Sequence, residues 1–416
     1  MARPGAGINT APSSTEEAAE LFKAAAADGL SVAIRGGGTK WDWGGRLKPP
    51  DVVVDTRRLT GVVEHAAGDL ITVVRAGTPL AELRQRLAPK HQQLALDEPN
   101  AGATVGGTVA VNTSGPRRML YGTARDLVIG MTIVRADGTV AHSGGKVVKN
   151  VAGYDLGKLF TGSYGTLGLI TQCAFRLHPV PESSTFVRAR VRDVAGTLAA
   201  IRRAQVVPSA VEIDSASGEI AVLLEGTPAG VRARAATVAK ILGGDAGRPD
   251  WWGRYPWRPG DTGIKLTAAL SQVPALLTGS LAVRGSAGTG VLYAGLPADT
   301  PPDEVARALA EARITARDAG GHAVVLTAPE PVRERVDLWG PVEGLALMWR
   351  VKQQFDPAGR LAPGRFVGGI LWSTPPGAPG RARRTCSARS PASPRSTTTT
   401  RRAPIWSPTA CTAASA

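Results

Sequence analysis

Cysteine is nearly missing from this sequence, with only Cys173, Cys386 and Cys411 in 416 residues. Three are too few for a disulfide framework or for the cysteine cluster of an iron–sulfur centre, so a reducing compartment fits and any such relay lies in another chain. Histidine is almost as scarce. His65, His91, His142, His178 and His322 are scattered without ligand spacing, which nominates no metal site and predicts surface or internally bonded imidazoles. No apolar run approaches the ~20 residues of a membrane span. The opening MARPGAGINTAPSSTEEAAE lacks the apolar core of a signal peptide, so a cytoplasmic chain is expected. Acidic residues are absent from 371–416, where seven of the fifteen net positive charges sit as arginines. That distribution argues against a nucleic-acid partner, which needs a basic face on the folded body.

What remains is an apolar, glycine-rich chain. With 43% apolar residues it can bury a large core in about two domains. Ser14 with Glu17 is a capping-box pattern ahead of Ala18, Ala19, Leu21, Phe22 and Ala25, and predicts a helix over 15–27. SVAI (31–34), DVVVDT (51–56), VVEHA (62–66) and LITVVRAG (70–77) read as strands. Thr78 as cap and Pro79 at the first helical position start a helix ending near Leu87. Residues 127–144 hold two strands around Asp137-Gly138, a hairpin signal, and 167–180 read as one more strand. From 186 to 328, strand and helix patterns alternate, including a helix at VPALLTGS, which suggests an antiparallel sheet with helices on one face. A last helix is expected at about 344–355. Residues 371–416 are Ser, Thr, Pro, Ala and Arg with almost no periodic apolar positions, and are expected to be disordered. The same composition arises when a GC-rich gene is read out of frame, and we read this tail as a frameshift product rather than a basic arm.

The chemistry is concentrated in glycine loops. Arg35-Gly36-Gly37-Gly38-Thr39-Lys40 follows a strand, and glycines there let backbone amides form an anion-binding concavity. It is neither a Walker loop nor a GxGxxG helix opening. A second polar glycine loop runs from Pro99 through Thr104, Gly106, Gly107 and Thr108 to Asn112 and Gly115. A third contains Tyr121, Gly122, Arg125 and Asp126. The fourth is Gly162-Ser163-Tyr164-Gly165-Thr166-Leu167-Gly168-Leu169-Ile170. Four such loops at strand ends imply an extended anionic ligand.

This ordered set resembles the flavoproteins with the FAD-binding domain of the vanillyl-alcohol oxidase and p-cresol methylhydroxylase (PCMH) type, most strongly the FAD-binding E subunits of bacterial glycolate oxidases. Residues 35–39 resemble that family's pyrophosphate loop and 99–112 its second pyrophosphate and flavin loop. Residues 121–126 resemble its YGxxRD turn, and 162–170 its GSxGTLGxIT segment. Lys149 to Phe160 is similar to KNVAGYDLxKL of the glycolate oxidase branch, with Tyr154 and Asp155 expected to fix a helix against the sheet. Phe355-Asp356-Pro357 with Pro363-Gly364-Arg365 resembles the closing signature, although Ala362 stands where relatives have asparagine.

The resemblance implies an α+β fold. It comprises a two-subdomain PCMH-type FAD-binding domain at 10–182, a reduced α+β cap at 183–345, a return segment at 346–370 and the disordered tail at 371–416. It implies FAD contacts from Arg35, Gly36, Gly37, Gly38, Thr39 and Lys40; from Pro99, Thr104, Gly106, Gly107, Thr108 and Asn112; from Gly122, Arg125 and Asp126; and from Gly162, Gly165, Thr166, Leu167, Gly168 and Ile170. Thr39 replaces the histidine of relatives that attach flavin covalently, so non-covalent FAD is expected. The implied activity is oxidation of glycolate or a similar 2-hydroxy acid to the 2-oxo acid, in a complex with a second flavoprotein subunit and an iron–sulfur subunit. The alternative is an accessory or assembly subunit with a structural FAD site. Related hydroxy-acid dehydrogenases carry a histidine-rich cap motif, whereas this cap has His322 alone, and no catalytic base can be nominated from the sequence. Lys40, Arg125 and Lys149 are candidates for phosphate pairing or for solvated surface. Trp41, Trp43, Trp251, Trp252 and Trp257 are expected to serve packing or a partner interface rather than a flavin entrance, and Cys173 the core.

Overall fold

Three short parallel strands, Ile8–Thr10 (β1), Val32–Arg35 (β2) and Val52–Asp55 (β3), pair in the order β1-β3-β2. Helix Thr15–Ala27 (α1) packs Ala18, Phe22 and Ala25 against Val32, Val52 and Val54, and against Val134 and Leu169 beyond them. Its bounds match the capping signal, with Ser14 Oγ accepting from the Glu17 N–H at 3.1 Å. The reciprocal half of the box is not made. Glu17 Oε2 instead accepts from the N–H and hydroxyl of Ser13 (2.7 and 2.8 Å), because Ser13 offers one carboxylate oxygen two donors at once. The structure is a computed structural model and describes residues 7–145 and 155–367, so the expectations for Lys149, Tyr154 and the 371–416 tail lie outside the described residues.

Strands Val62–Ala66 (β4) and Ile71–Arg75 (β5) begin a second sheet. Helix Leu80–Leu87 (α2) follows, one residue later than expected, with Pro79 as its N-cap. Thr78 does not cap it, because the Gly61 amide claims the hydroxyl at 2.9 Å. Next come Gln92–Gln93 (β6), Val105–Val111 (α3), Arg118–Tyr121 (α4) and Ala124–Leu127 (α5). Val128–Val134 (β7) and Val140–Gly144 (β8) form the expected hairpin, with Gly138 at φ +83°. Leu156–Phe160 (α6), capped by Asp155, leads to Leu169–Arg176 (β9) and His178–Pro179 (β10). The sheet is antiparallel in the order β4-β5-β9-β7-β8. Val74, Leu83, Leu87, Val105, Phe160 and Phe175 fill its core, and so does Cys173, whose thiol burial pushes up to about 12.

Residues 183–327 build an eight-stranded antiparallel sheet. Its strands are Ser183–Arg190 (β11), Ala210–Asp214 (β12), Glu219–Gly226 (β13), Asp245–Ala246 (β14), Thr262–Thr267 (β15), Val283–Ser286 (β16), Val291–Leu296 (β17) and Ala323–Thr327 (β18). The order is β14-β11-β13-β12-β16-β17-β15-β18. Helices Val194–Arg203 (α7), Pro228–Leu242 (α8), Pro302–Asp318 (α9) and Glu330–Arg335 (α10) share one core with the strands' alternate residues, including Val211, Ile213, Ile264, Leu266 and Leu292. Glu212, Lys265 and Tyr293, lying between those residues, therefore project from the opposite face. The helix expected at VPALLTGS is a 3₁₀ segment, Leu270–Leu277, because Pro274 within it lacks the N–H that an α-ladder needs. Helix Leu345–Phe355 (α11) carries the chain back to β2, where Val32 bridges Leu361.

Candidate functional site

The end of β2, the loop after it, the start of α3, the turn at 164–168 and Arg365 meet around one cleft of about 710 Å³, mouth included. Twelve of the residues nominated from sequence line it: Arg35, Gly36, Gly37, Gly38, Thr39, Lys40, Thr104, Gly106, Gly107, Gly165, Gly168 and Ile170. Tyr164 also lines it from a left-handed backbone conformation at φ +56°.

The two glycine loops touch. A Cβ on Gly36 would stand 2.4 Å from Thr104 Oγ1, and one on Gly37 would stand 2.1 Å from the Gly102 carbonyl oxygen. Glycine at 36 and 37 therefore lets the loops close against each other, rather than only clearing space for a ligand. The junction is locked from within by Lys40, whose Nζ lies 2.8 Å from Glu98 Oε2 with both side chains almost fully enclosed. Glu98 also accepts from Asn100 N and Nδ2 and from Thr108 Oγ1. Burial holds the Lys40 ammonium below its usual pKa, against the pull of Glu98. The Lys40 ammonium is thus not solvated, and its side chain is spent on Glu98 while its backbone lines the cleft. It is one half of an internal ion pair.

Among the described residues, the N–H groups of Gly37, Gly38, Thr39 and Lys40 donate to no protein acceptor. Backbone amides without protein acceptors are what an anion-binding loop requires. Across the cleft, Arg365 lies over the Trp41 ring at 4.9 Å, is 7% exposed, and keeps its Nε without a protein partner. Burial lowers its pKa to about 10, which leaves the guanidinium charged at neutral pH. Arg35 Nη2 is tied to Asp55 Oδ2 at 3.2 Å. Arg365 belongs to the closing signature but not to the residues nominated for the cofactor. Its place in a PGR turn was the available signal.

The other nominated residues lie off this lining. Pro99 borders a smaller pocket toward the eight-stranded sheet. Thr108 is spent on Glu98, and Asn112 Oδ1 accepts from the Arg125 N–H at 3.2 Å. Asp126 Oδ2 caps its own turn through Thr123 N and Oγ1, folding over Gly122, while Arg125 is exposed. Gly162, Thr166 and Leu167 line an apolar hollow beneath α11. Of the tryptophans, Trp41 borders the cleft, Trp43 and Trp257 pack with Tyr255, and Trp251 and Trp252 pack beside Phe186. His322 is exposed at the start of β18, its backbone paired with Thr267.

Residues 8–144 match the FAD binding domain family, and residues 338–366 match the C-terminal domain of FAD linked oxidases. A solved structure of p-cresol methylhydroxylase superposes with a TM-score of 0.66 over 86% of this chain and 88% of that one, at 18% identity. Alkyldihydroxyacetonephosphate synthase gives 0.63 over 85% and 76%, at 17% identity. Residues 8–144 therefore form an FAD binding domain, FAD is the cofactor, and the chain has the α+β fold seen in p-cresol methylhydroxylase. Within that class it is similar to glycolate oxidase subunit GlcE of Escherichia coli, 29% identical over 327 residues, which span 75% of this chain and 86% of that protein. It is also 37% identical over 169 residues to D-lactate dehydrogenase of Archaeoglobus fulgidus, spanning 40% of this chain and 38% of that protein. Those two relatives are, by name, a glycolate oxidase subunit and a D-lactate dehydrogenase. No helix among the described residues is long and apolar enough to cross a membrane.

Proposed function

We propose that this chain is the FAD-holding subunit of a glycolate oxidase type complex, oxidising glycolate or a similar 2-hydroxy acid. The supporting observation is the pairing, across one cleft, of four free amides at Gly37–Lys40 with the unpartnered Arg365 guanidinium. In this reading the amides and Arg365 hold the dinucleotide's phosphates, while Thr104, Gly107, Gly165 and Ile170 border its flavin end. FAD, when bound, supplies the two-electron acceptor. The protein's part is to orient it and exclude water. Thr39 at the loop provides no imidazole for a covalent link, so the flavin is non-covalent. The domain assignment follows the same reading: FAD domain 10–182, cap 183–345 and return segment 346–370. A second flavoprotein subunit and an iron–sulfur subunit complete the complex, since this chain carries no cysteine cluster of its own.

A second reading, an accessory subunit whose flavin does not turn over alone, is favoured by the cap, whose one histidine, His322, faces solvent. The visible spectrum of the isolated chain tests both. A yellow protein that releases its colour on acid precipitation and bleaches with glycolate supports the first. A yellow protein that glycolate leaves unbleached until partner subunits are added supports the second. A colourless chain that takes up no added FAD refutes both.

A further inference from the structure

The face of the eight-stranded sheet turned away from its helices is not fully polar-satisfied where α4 packs on β12. Glu212 sits there, 5% exposed, between Val211 and Ile213 of the helix-side core. Its Oε1 has no protein partner. Directly opposite in register on β16 is Ser286, 2% exposed, whose Oγ makes no hydrogen bond of good geometry yet lies near enough to draw the Glu212 carboxyl down, and the buried Tyr255 hydroxyl is without a partner as well. All three line a pocket closed from the other side by Ser114 and Arg118. Three buried polar atoms without protein partners around one pocket give a polar ligand three groups to bond.

The charges define that ligand. Arg118 donates from Nη2 to the Tyr293 hydroxyl (3.1 Å) and from Nε to the Gly115 carbonyl (3.0 Å), and among the described residues no carboxylate lies within ion-pair distance of it. Arg284, by contrast, is neutralised by Asp214 at 2.9 Å. Lys265, opposite Tyr293 in register, adds a cation on the same face. Burial pushes the Glu212 carboxyl up to about 8, against the pull of Arg118. The pocket thus offers a guanidinium with no carboxylate partner and, beside it, an acid and two hydroxyls for a neutral polar group.

We infer that this pocket binds a small 2-hydroxycarboxylate, with Arg118 holding the carboxylate and Glu212 with Ser286 receiving the hydroxyl. The inference rests on the hydroxy-acid reading above and assigns the residues that recognise the substrate. It also connects to the cleft, since one segment supplies Thr104 and Gly107 to the cleft and Pro99, Ser114 and Arg118 to the pocket.

Calorimetric titration of the full flavin-loaded chain with glycolate, and with acetate as the hydroxyl-free control, tests it. Glycolate is expected to bind about two- to tenfold tighter than acetate, the worth of one hydrogen bond between neutral groups. Arg118→Gln should weaken glycolate at least about thirtyfold. Glu212→Gln should narrow the preference for glycolate over acetate while retaining acetate affinity, and Ser286→Ala should narrow it less. Equal binding of the two acids by the wild type, or undiminished glycolate affinity in Arg118→Gln, overturns the assignment. Should Arg118→Gln lose its fold by circular dichroism, an unchanged preference in Ser286→Ala together with Glu212→Gln overturns it equally. Flavin content is read in the same samples. A yellow protein indifferent to glycolate refutes this pocket and leaves the FAD reading standing, whereas a colourless chain that binds glycolate does the reverse.

Discussion

Replacing Asp356 by alanine should detach the C-terminal segment from the body while leaving the two large sheets folded. The carboxylate is fully buried. Its Oδ1 accepts from Arg360 N (3.0 Å), and its Oδ2 accepts from Leu361 N (2.7 Å) and from Lys352 Nζ (2.6 Å). Lys352 also donates to the carbonyls of Thr166 (2.7 Å) and Leu361 (3.1 Å), and burial holds its pKa down against the pull of Asp356. The alanine variant strands an enclosed ammonium and two amides, and breaking such a pair costs about 3–5 kcal/mol. At 1.36 kcal/mol per decade, that is roughly two to three and a half decades in an opening equilibrium. Hydrogen exchange of the α11 amides should accelerate by that factor, with β13 and β9 unaffected. Flavin retention should fall with it, since Arg365 hangs from the same segment. The double variant Lys352→Met with Asp356→Leu should recover much of the protection, because both charges go together. Acceleration of less than about tenfold in Asp356→Ala would refute the view that this ion pair anchors the segment.

Gly107→Asp and Gly37→Asp should both abolish flavin retention, but for different reasons. The Gly107 variant meets only Thr104 Oγ1, at 3.1 Å, and should keep its melting temperature, whereas the Gly37 variant drives a side chain into the Gly102 carbonyl and should lower it. A yellow Gly107→Asp protein would remove α3 from the cofactor site. Glu212 supplies a pH test. Its folded pKa, about 8, lies above the unfolded value of 4.5, so the folded state holds an extra proton between them. The stability this contributes is complete below pH 4.5 and declines as pH rises toward 8, at roughly 1.4 kcal/mol per pH unit. Urea midpoints of wild type and Glu212→Gln across that window should diverge accordingly, and parallel curves would mean that the carboxyl is solvated.

Where residues near in sequence decide the outcome, the sequence was readable. The α1 helix, the β7 and β8 hairpin and the two glycine loops all follow from caps, alternation and turn residues within a few positions. Val283–Ser286 was missed because VRGS is too short to alternate and contains a glycine at φ +146°, so only its neighbours β12 and β17 make it a strand. The Lys40 and Glu98 pair was invisible for the same reason, being 58 positions apart. Glu212 is the sharpest case. AVEID reads as an ordinary half-exposed strand with glutamate outward, and what buries that glutamate is α4, nearly a hundred residues earlier in the chain.

The cleft draws on Arg35 to Lys40, Thr104 to Gly107, Tyr164 to Gly168 and Arg365, so no single subdomain contains it. Glycines at 36 and 37 permit the first two loops to meet, and the buried Lys40 and Glu98 pair clamps them, yet the same closure leaves four amides without protein acceptors. The buried Arg365 Nε has no protein partner, so an anion that completes it stabilises the folded state. Such a ligand binds only the folded chain, and stabilises it by about 2.7 kcal/mol at a hundred times its Kd. In the proposed reading, cofactor loading and retention of the C-terminal segment are coupled through Arg365. Loss of either Arg365 or the flavin loosens the other, and α11 should exchange its amides faster in flavin-free protein than in loaded protein.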